Sequence, residues 1–444
     1  MGPFLTARRG PRITGRVWPR AAIIAYVPAR GRWCPFTGAL PGGGADVRLE
    51  EPGLRLTRRQ ALTGLGGLGA AALLVTGCTA RNPAGHGLTT AATVNALVPG
   101  TLLWRVRAPA GIVSLVATDS LVFAGVDDSS GTFGGVYAMH AGTGQKAWTQ
   151  YGDVTFAPYA VERDVLFGVG LDGVGALNAT SGKVLWRAPA GTVNPVLAST
   201  WVLVTGGTVC TISDLGSIPK SRGVVLGLDS SNGRRKWVAD IPPGGTVLTG
   251  AGRLVFTASP VPPFNGSGRV VALDAATGQR RWTSANLHMV PGQIAATQDV
   301  VTVSTSDSLE RPGRYLTIGL DSATGRELWR IDGSADPLIA GGGLVYGVGK
   351  TLWARDARTS RVVWEHAFGQ HAPVILALTG GTVLASSARK VQALSAATGE
   401  GLWSQAIPAY PGGITTAAGK VYVPAASDPL AQDGGTNWIY AFQA

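Results

Sequence analysis

The sequence predicts an all-β chain, an eight-bladed β-propeller of four-stranded antiparallel blades, with the last blade closed by strands from the N- and C-terminal parts of the fold. One phrase recurs seven times in complete form. It reads VYAMHAGTGQKAW ending at Trp148, VGALNATSGKVLW at Trp186, VLGLDSSNGRRKW at Trp237, VVALDAATGQRRW at Trp282, TIGLDSATGRELW at Trp329, LWARDARTSRVVW at Trp364 and VQALSAATGEGLW at Trp403. An eighth copy is split between LLW at Trp104 and the WIYAF run before Ala444. Successive tryptophans lie 35 to 51 residues apart, room for four short strands and their turns, which is the length of one propeller blade.

Within each copy, an apolar run such as LVFAGV at 121–126 or RLVFTA at 253–258 reads as a buried inner strand bounded by turn residues. The phrase then supplies a hairpin. At its centre Asp274 can accept bonds from backbone amides two residues on, and Gly278 can take the left-handed conformation that a bulged hairpin demands. Asn178, Asp229 and Asp321 stand where Asp274 does; Gly144, Gly182, Gly233, Gly325 and Gly399 stand where Gly278 does. Ser360 breaks the series, and backbone strain is expected there. The closing tryptophans, Trp104, Trp148, Trp186, Trp237, Trp282, Trp329, Trp364 and Trp403, read as structural glue between blades, since a ligand platform has no need of one copy in every blade. Pairing of IYAF with LLWRV would close the ring and remove two open sheet edges.

The repeated phrase, (A/G)-L-(D/N)-x-x-(T/S/N)-G-x-x-x-W, resembles the pyrroloquinoline-quinone-type propeller repeat of quinoprotein alcohol dehydrogenases, of the outer-membrane assembly lipoprotein of Gram-negative bacteria, and of segments behind bacterial serine/threonine kinases. The resemblance covers residues 101–444. In the dehydrogenases it implies a quinone, a calcium ion held by Glu, Asn and Asp, an Asp base and an adjacent Cys-Cys pair. Here that pair is absent, and no Glu/Asn/Asp set aligns residue by residue. No catalytic residue, metal site or cofactor is therefore expected; pyrroloquinoline quinone and calcium remain the alternative. Fold alone does not assign activity.

Ahead of the propeller, residues 1–55 are rich in Arg, Pro and Gly and read as a disordered leader or as sequence upstream of the true start. Residues 56–78 read as a twin-arginine export peptide, with Arg58 and Arg59, an apolar Gly- and Ala-rich run to Val75, and a Val75-Thr76-Gly77-Cys78 lipobox. Resemblance to lipoproteins implies acylation of Cys78 and anchoring to the outer face of the cytoplasmic membrane. Residues 79–100 read as a small-residue, polar tether. The Ala-, Gly-, Arg- and Val-heavy composition suits an actinobacterium, which lacks the Gram-negative outer-membrane machinery.

Charge excludes one class of partner. The whole chain carries +12, yet 11 of its 38 Lys and Arg precede Cys78, which leaves 27 basic against 23 acidic residues, or +4. Nucleic acid is accordingly not an expected partner. Arg234, Arg235, Lys236, Arg280 and Arg281 read as solvated charge on outer strands. Cys210 is the one thiol beyond Cys78 and reads as a small core residue. His366 and His371 are five apart with no third ligand at suitable spacing, so no metal site is assigned.

What remains is uneven link length. Links between second and third strands are short at 171–173, 347–350 and 387–389, and long at 127–133, 213–222, 260–269, 306–314 and 427–437. These links share a face with the blade-to-blade connections and should form an irregular rim. Loops held by a rigid scaffold concentrate binding residues. Asp127, Asp128, Asp307, Glu310 and Arg311 are the candidate polar contacts or weak calcium ligands, and Phe264 the candidate apolar anchor. The function this supports is a non-catalytic, lipid-anchored scaffold for an envelope protein or a ligand. The alternatives are a quinone-dependent oxidoreductase with its site in the central funnel, and a sensor of small ligands.

Overall fold

The computed structural model describes residues 98–444 except 128–132, 152–156, 171–172, 189–201, 216–221, 243–246, 262–265, 308–312, 334–335, 337, 369–372, 374 and 428–435. The described residues form 33 strands in eight antiparallel sheets. Blade 4 typifies them: Val247–Ala251, Leu254–Pro260, Gly268–Asp274 and Arg280–Thr283, each paired with the next. The run expected as an inner strand is the second of the four, since a shorter strand lies inside it; in blade 1 that is Ile112–Ala117 before Leu121–Asp127. First strands of neighbouring blades contact one another from blade 8 through blade 1 to blade 7 and so line the axis. In blade 8 the first strand is broken into Tyr410–Pro411 and Thr415–Ala417, both paired to Lys420–Ala426.

Each repeated phrase forms the third and fourth strands, and all seven complete copies show a register shift at the same step, Ala272/Leu273 in blade 4. The bulge follows from the turn. Asp274 Oδ1 accepts from Ala276 N (3.1 Å), Thr277 N (3.2 Å) and Thr277 Oγ1 (3.1 Å), while Gly278 N donates to Asp274 O (2.8 Å) at φ +70°. Ser360 takes φ +58° in the same role, the strain expected of a residue with a Cβ. Its carbonyl accepts from Arg355 Nη1 at 2.9 Å, a bond that braces this turn.

The closing tryptophans join blades through that turn. Trp237 Nε1 donates to Ala275 O of blade 4 (3.1 Å), and Trp282 Nε1 to Ser322 O of blade 5 (2.8 Å). Trp104, Trp148, Trp186, Trp329 and Trp364 repeat the bond at Ala141, Ala179, Ser230, Ala357 and Ala396. The indole lies under the next blade's turn glycine, so closely that a Cβ at Gly182 would come within 2.7 Å of Trp148. One residue type thus serves two demands, left-handed backbone and close approach.

Closure reuses the same geometry from two separate pieces of chain. Asn437–Gln443 pairs with Leu102–Arg107, with Trp104 opposite Ala441. Gly100 N donates to Gln443 O (2.8 Å) and Gln443 N to Thr101 O (2.9 Å), the bonds that Gly278 and Asp274 make within one turn. Gly100, at φ +83°, lies 3.0 Å from Trp403 by its notional Cβ. The eighth turn is therefore rebuilt across the cut, and the chain enters the propeller on the face that carries the repeat turns.

A second strand position supplies an aromatic against the blade's own tryptophan. Phe123, Phe167, Phe256, Tyr346 and Tyr422 lie 5.8 to 6.2 Å from Trp148, Trp186, Trp282, Trp364 and Trp104 by ring centroid. Blades 3 and 5 place Cys210 and Thr302 there instead. In those blades the facing third-strand residue is glycine, Gly227 or Gly319, where the others carry alanine, and the indole of Trp237 or Trp329 occupies the space that a Cβ would need. Cys210 is fully buried, as expected, and burial pushes its thiol up to about 12.

Candidate interaction rim

Antiparallel topology puts the links between second and third strands on one face together with the blade-to-blade connections. The strand ends at Asp127 and Phe133, Leu215 and Arg222, Pro260 and Gly268, Ser306 and Tyr315, and Ala426 and Asn437 match the five long links, while blades 2, 6 and 7 turn within two or three residues. Three long links leave the sheet through hydrogen-bonded necks: Val261 N to Ser267 O (3.0 Å), Asp307 N to Arg314 O (3.0 Å), and Ser427 N to Thr436 O (2.9 Å). Whatever each link presents is thus carried on a fixed base.

Two of the proposed contact residues fall among the described ones. The Asp307 carboxylate accepts from Gly313 N through Oδ1 at 2.8 Å, and backbone bonds from Arg314 and Gly313 hold its pKa below the usual carboxylate range. Its carbonyl lies 3.4 Å from the notional Cβ of Gly266, so the rim links of blades 4 and 5 touch. Asp127 ends the second strand of blade 1, its N–H bonded to Gly111 O (3.0 Å) and its carboxylate packed over Gly111, where a Cβ would collide with it. The two carboxylates belong to different blades, 1 and 5. Asp128, Phe264, Glu310 and Arg311 lie outside the described residues, as do Arg58, Arg59, Cys78 and His371. His366 Nδ1 is 3.1 Å from Gly399 O, with its ring edge-on to Phe368.

A group that the sequence reading passed over sits where the rim meets the axis. Gln293, on the first strand of blade 5, donates through Nε2 to Asp336 Oδ1, and accepts through Oε1 from Leu338 N of blade 6 at 2.9 Å. Gln293 N also donates to Ser304 Oγ (2.8 Å). Burial pushes the Asp336 carboxyl up to about 6. The signal was a lone Gln in a strand otherwise built from Val, Pro, Gly, Ile and Ala.

That shift fixes a pH dependence. Between the ordinary value near 3.9 and the folded value near 6, the folded protein binds a proton that the unfolded chain releases, so stability falls as pH rises through that window. Asp336→Asn keeps an oxygen acceptor for Gln293 and removes the charge. It should be neutral at pH 4 and stabilising at pH 7.5 by on the order of 2 kcal/mol, read as urea midpoints at the two pH values.

The family model PQQ_2, described as outer membrane protein assembly factor BamB, matches residues 132–364 and 266–436. The chain belongs to this family. The BamB family match fits the repeat spacing, the four-stranded blades and the turn chemistry alike. No curated protein matches the chain by sequence. Among solved structures, BamB from Moraxella catarrhalis aligns at 18% identity and TM-score 0.53, over 78% of this chain and 97% of its own. The quinohemoprotein alcohol dehydrogenase of Comamonas testosteroni aligns at 17% and 0.54, over 77% and 76%. The computationally designed protein Ika8 aligns at 15% and 0.59, over 78% and 100%. At these identities the likeness is one of fold.

The dehydrogenase likeness raises the question of a quinone held by calcium. Such a group needs several oxygen donors converging on the axis. Glu162 is the one charged residue on the described first strands, and it stands exposed at their far end, at the turn into Val165. Among the described residues no three His, Cys, Asp or Glu side chains gather into a metal-sized group. The described axis residues do not fit this cofactor.

Proposed function

We propose that the protein is an extracytoplasmic, lipid-anchored, non-catalytic scaffold at the outer face of the cytoplasmic membrane, and that it binds an envelope protein through its irregular rim. The observation that carries this is the rim itself: five long links on one face, three with hydrogen-bonded necks, on a scaffold whose described first strands carry one charged residue, Glu162. A rigid base with protruding links suits recognition of a surface, where catalysis would call for convergent ionisable groups. Membership of the BamB family, whose name describes an assembly factor for outer-membrane proteins, supports a membrane-associated binding role.

The test is site-specific photo-crosslinking in the native host. Tyr315 opens the third strand beside the blade 5 link and is 40% exposed, so an aromatic photoprobe replaces it with little disturbance. Thr324, in the opposite turn, is the control. One protein adduct of defined mass from Tyr315, absent from Thr324, is expected. Equal labelling from both sites, or none from Tyr315, would overturn the rim reading.

A further inference from the structure

The turn face, opposite the rim, carries a basic strip at blades 3 and 4. Arg234, Arg235 and Lys236 follow the turn of blade 3; Arg280 and Arg281 follow that of blade 4; Arg253 stands in the turn between that blade's first two strands. All six are exposed, the side chains of Arg253 and Arg281 by 83% and 46%. The strip is organised. Buried Asp274 holds Arg281 at 2.7 Å and Arg253 at 3.7 Å, Lys236 Nζ donates to Thr208 Oγ1 at 2.9 Å, and Arg280 bonds Asp240 O across the blade boundary. Of the nearby acids, Asp274 is buried and held by its own turn and the two arginines, Asp229 is half-buried and bonded by Ser231, and Asp240 is exposed, so six basic side chains stand against three acidic ones. The solvent side of the strip is therefore cationic.

The same face receives the chain. Gly100 occupies a repeat-turn position, so the described chain begins on this face, away from the rim. We propose that this strip docks the turn face on anionic lipid headgroups, which orients the propeller with its rim directed away from the membrane. This rests on the reading of Cys78 as the lipid-bearing residue. Each Lys or Arg near an anionic surface raises partitioning roughly fivefold, so a few of them suffice to orient a protein already tethered.

The test uses the full chain with Cys78→Ala, which removes any acyl chain and makes the outcome independent of lipidation; lipidation itself is read separately, by palmitate labelling of Cys78 in the host. Sedimentation with phosphatidylglycerol-containing vesicles is compared with pure phosphatidylcholine. The triple variant Arg234→Glu, Arg235→Glu, Arg280→Glu should lower the partition coefficient at least roughly tenfold on anionic vesicles, with the native melting temperature kept. A rim control with the same charge change, Arg107→Glu, Lys350→Glu, Lys390→Glu, should lower it far less. Equal losses in the two triple variants, or an unchanged coefficient in the first, would overturn the proposal. So would equal binding of the parent chain to both vesicle types, or retention of an acidic envelope protein where no vesicle is bound.

Discussion

Trp282→Ala should cost about 3–5 kcal/mol of unfolding free energy, the range for removing a large aromatic from a packed core. The indole is 8% exposed and sits in the cluster that joins blades 4 and 5, with Phe256, Val301, Val303 and Ile318. It also donates to Ser322 O at 2.8 Å and packs under Gly325. Truncation opens a cavity, exposes Phe256 at 5.8 Å and leaves a turn carbonyl without its donor. The neighbouring elements belong to rigid sheets and can relax only in part, so the loss should fall near the upper end of the range. Urea unfolding followed by fluorescence and by far-ultraviolet circular dichroism gives the number. A loss below roughly 1 kcal/mol would mean that the blades are held by their sheets and axis contacts, with the tryptophans as passengers.

Much of the fold was legible because each blade states the same local rule. Asp or Asn, then Gly, then Trp, at fixed offsets, encodes a turn, a left-handed residue and an inter-blade anchor, and the structure uses all three as read. The reading located the split eighth copy from Trp104 and the C-terminal aromatic strand. It did not foresee that Gly100, Thr101 and Gln443 would rebuild the missing turn from separate pieces of chain, because those residues do not resemble the repeat as a contiguous string. The apolar runs read as buried inner strands are the second strands, whereas first strands such as Val202–Thr205 or Leu338–Gly341 are four residues long and leave little periodic signal.

The rim was legible as a pattern of lengths, and its chemistry much less so. Asp307, a candidate polar contact, also caps its own link at Gly313, a local bond that a sequence shows only as Asp followed by Gly and Arg. The Gln293 and Asp336 pair joins blades 5 and 6 across 43 residues and has no spacing signature. Such partners are set by blade packing, which repeats in space and not in sequence.

Gly227→Ala should destabilise by about 2–4 kcal/mol, more than a methyl on most strands, because the added Cβ falls on the indole of Trp237. Trp237 has little room to yield: its Nε1 is bonded to Ala275 O, and its ring lies beneath Gly278. The internal repeats supply the compensation. Blades 1, 2 and 4 pair an alanine at this site with a phenylalanine opposite the tryptophan, where blade 3 has Cys210. Cys210→Phe alone should also destabilise, since Trp237 already fills that space. The double variant moves blade 3 to the blade 4 arrangement, with the indole displaced from the glycine and the phenyl ring taking its place. Its stability should exceed the sum of the two single effects by at least about 1 kcal/mol, a coupling that a double-mutant cycle in urea measures directly. Additive losses would show instead that the indole is fixed by its bond to Ala275 and cannot change seats. Blade 5 offers the same exchange at Thr302 and Gly319, and a matching coupling there would make the two tryptophan positions alternative states of one repeat.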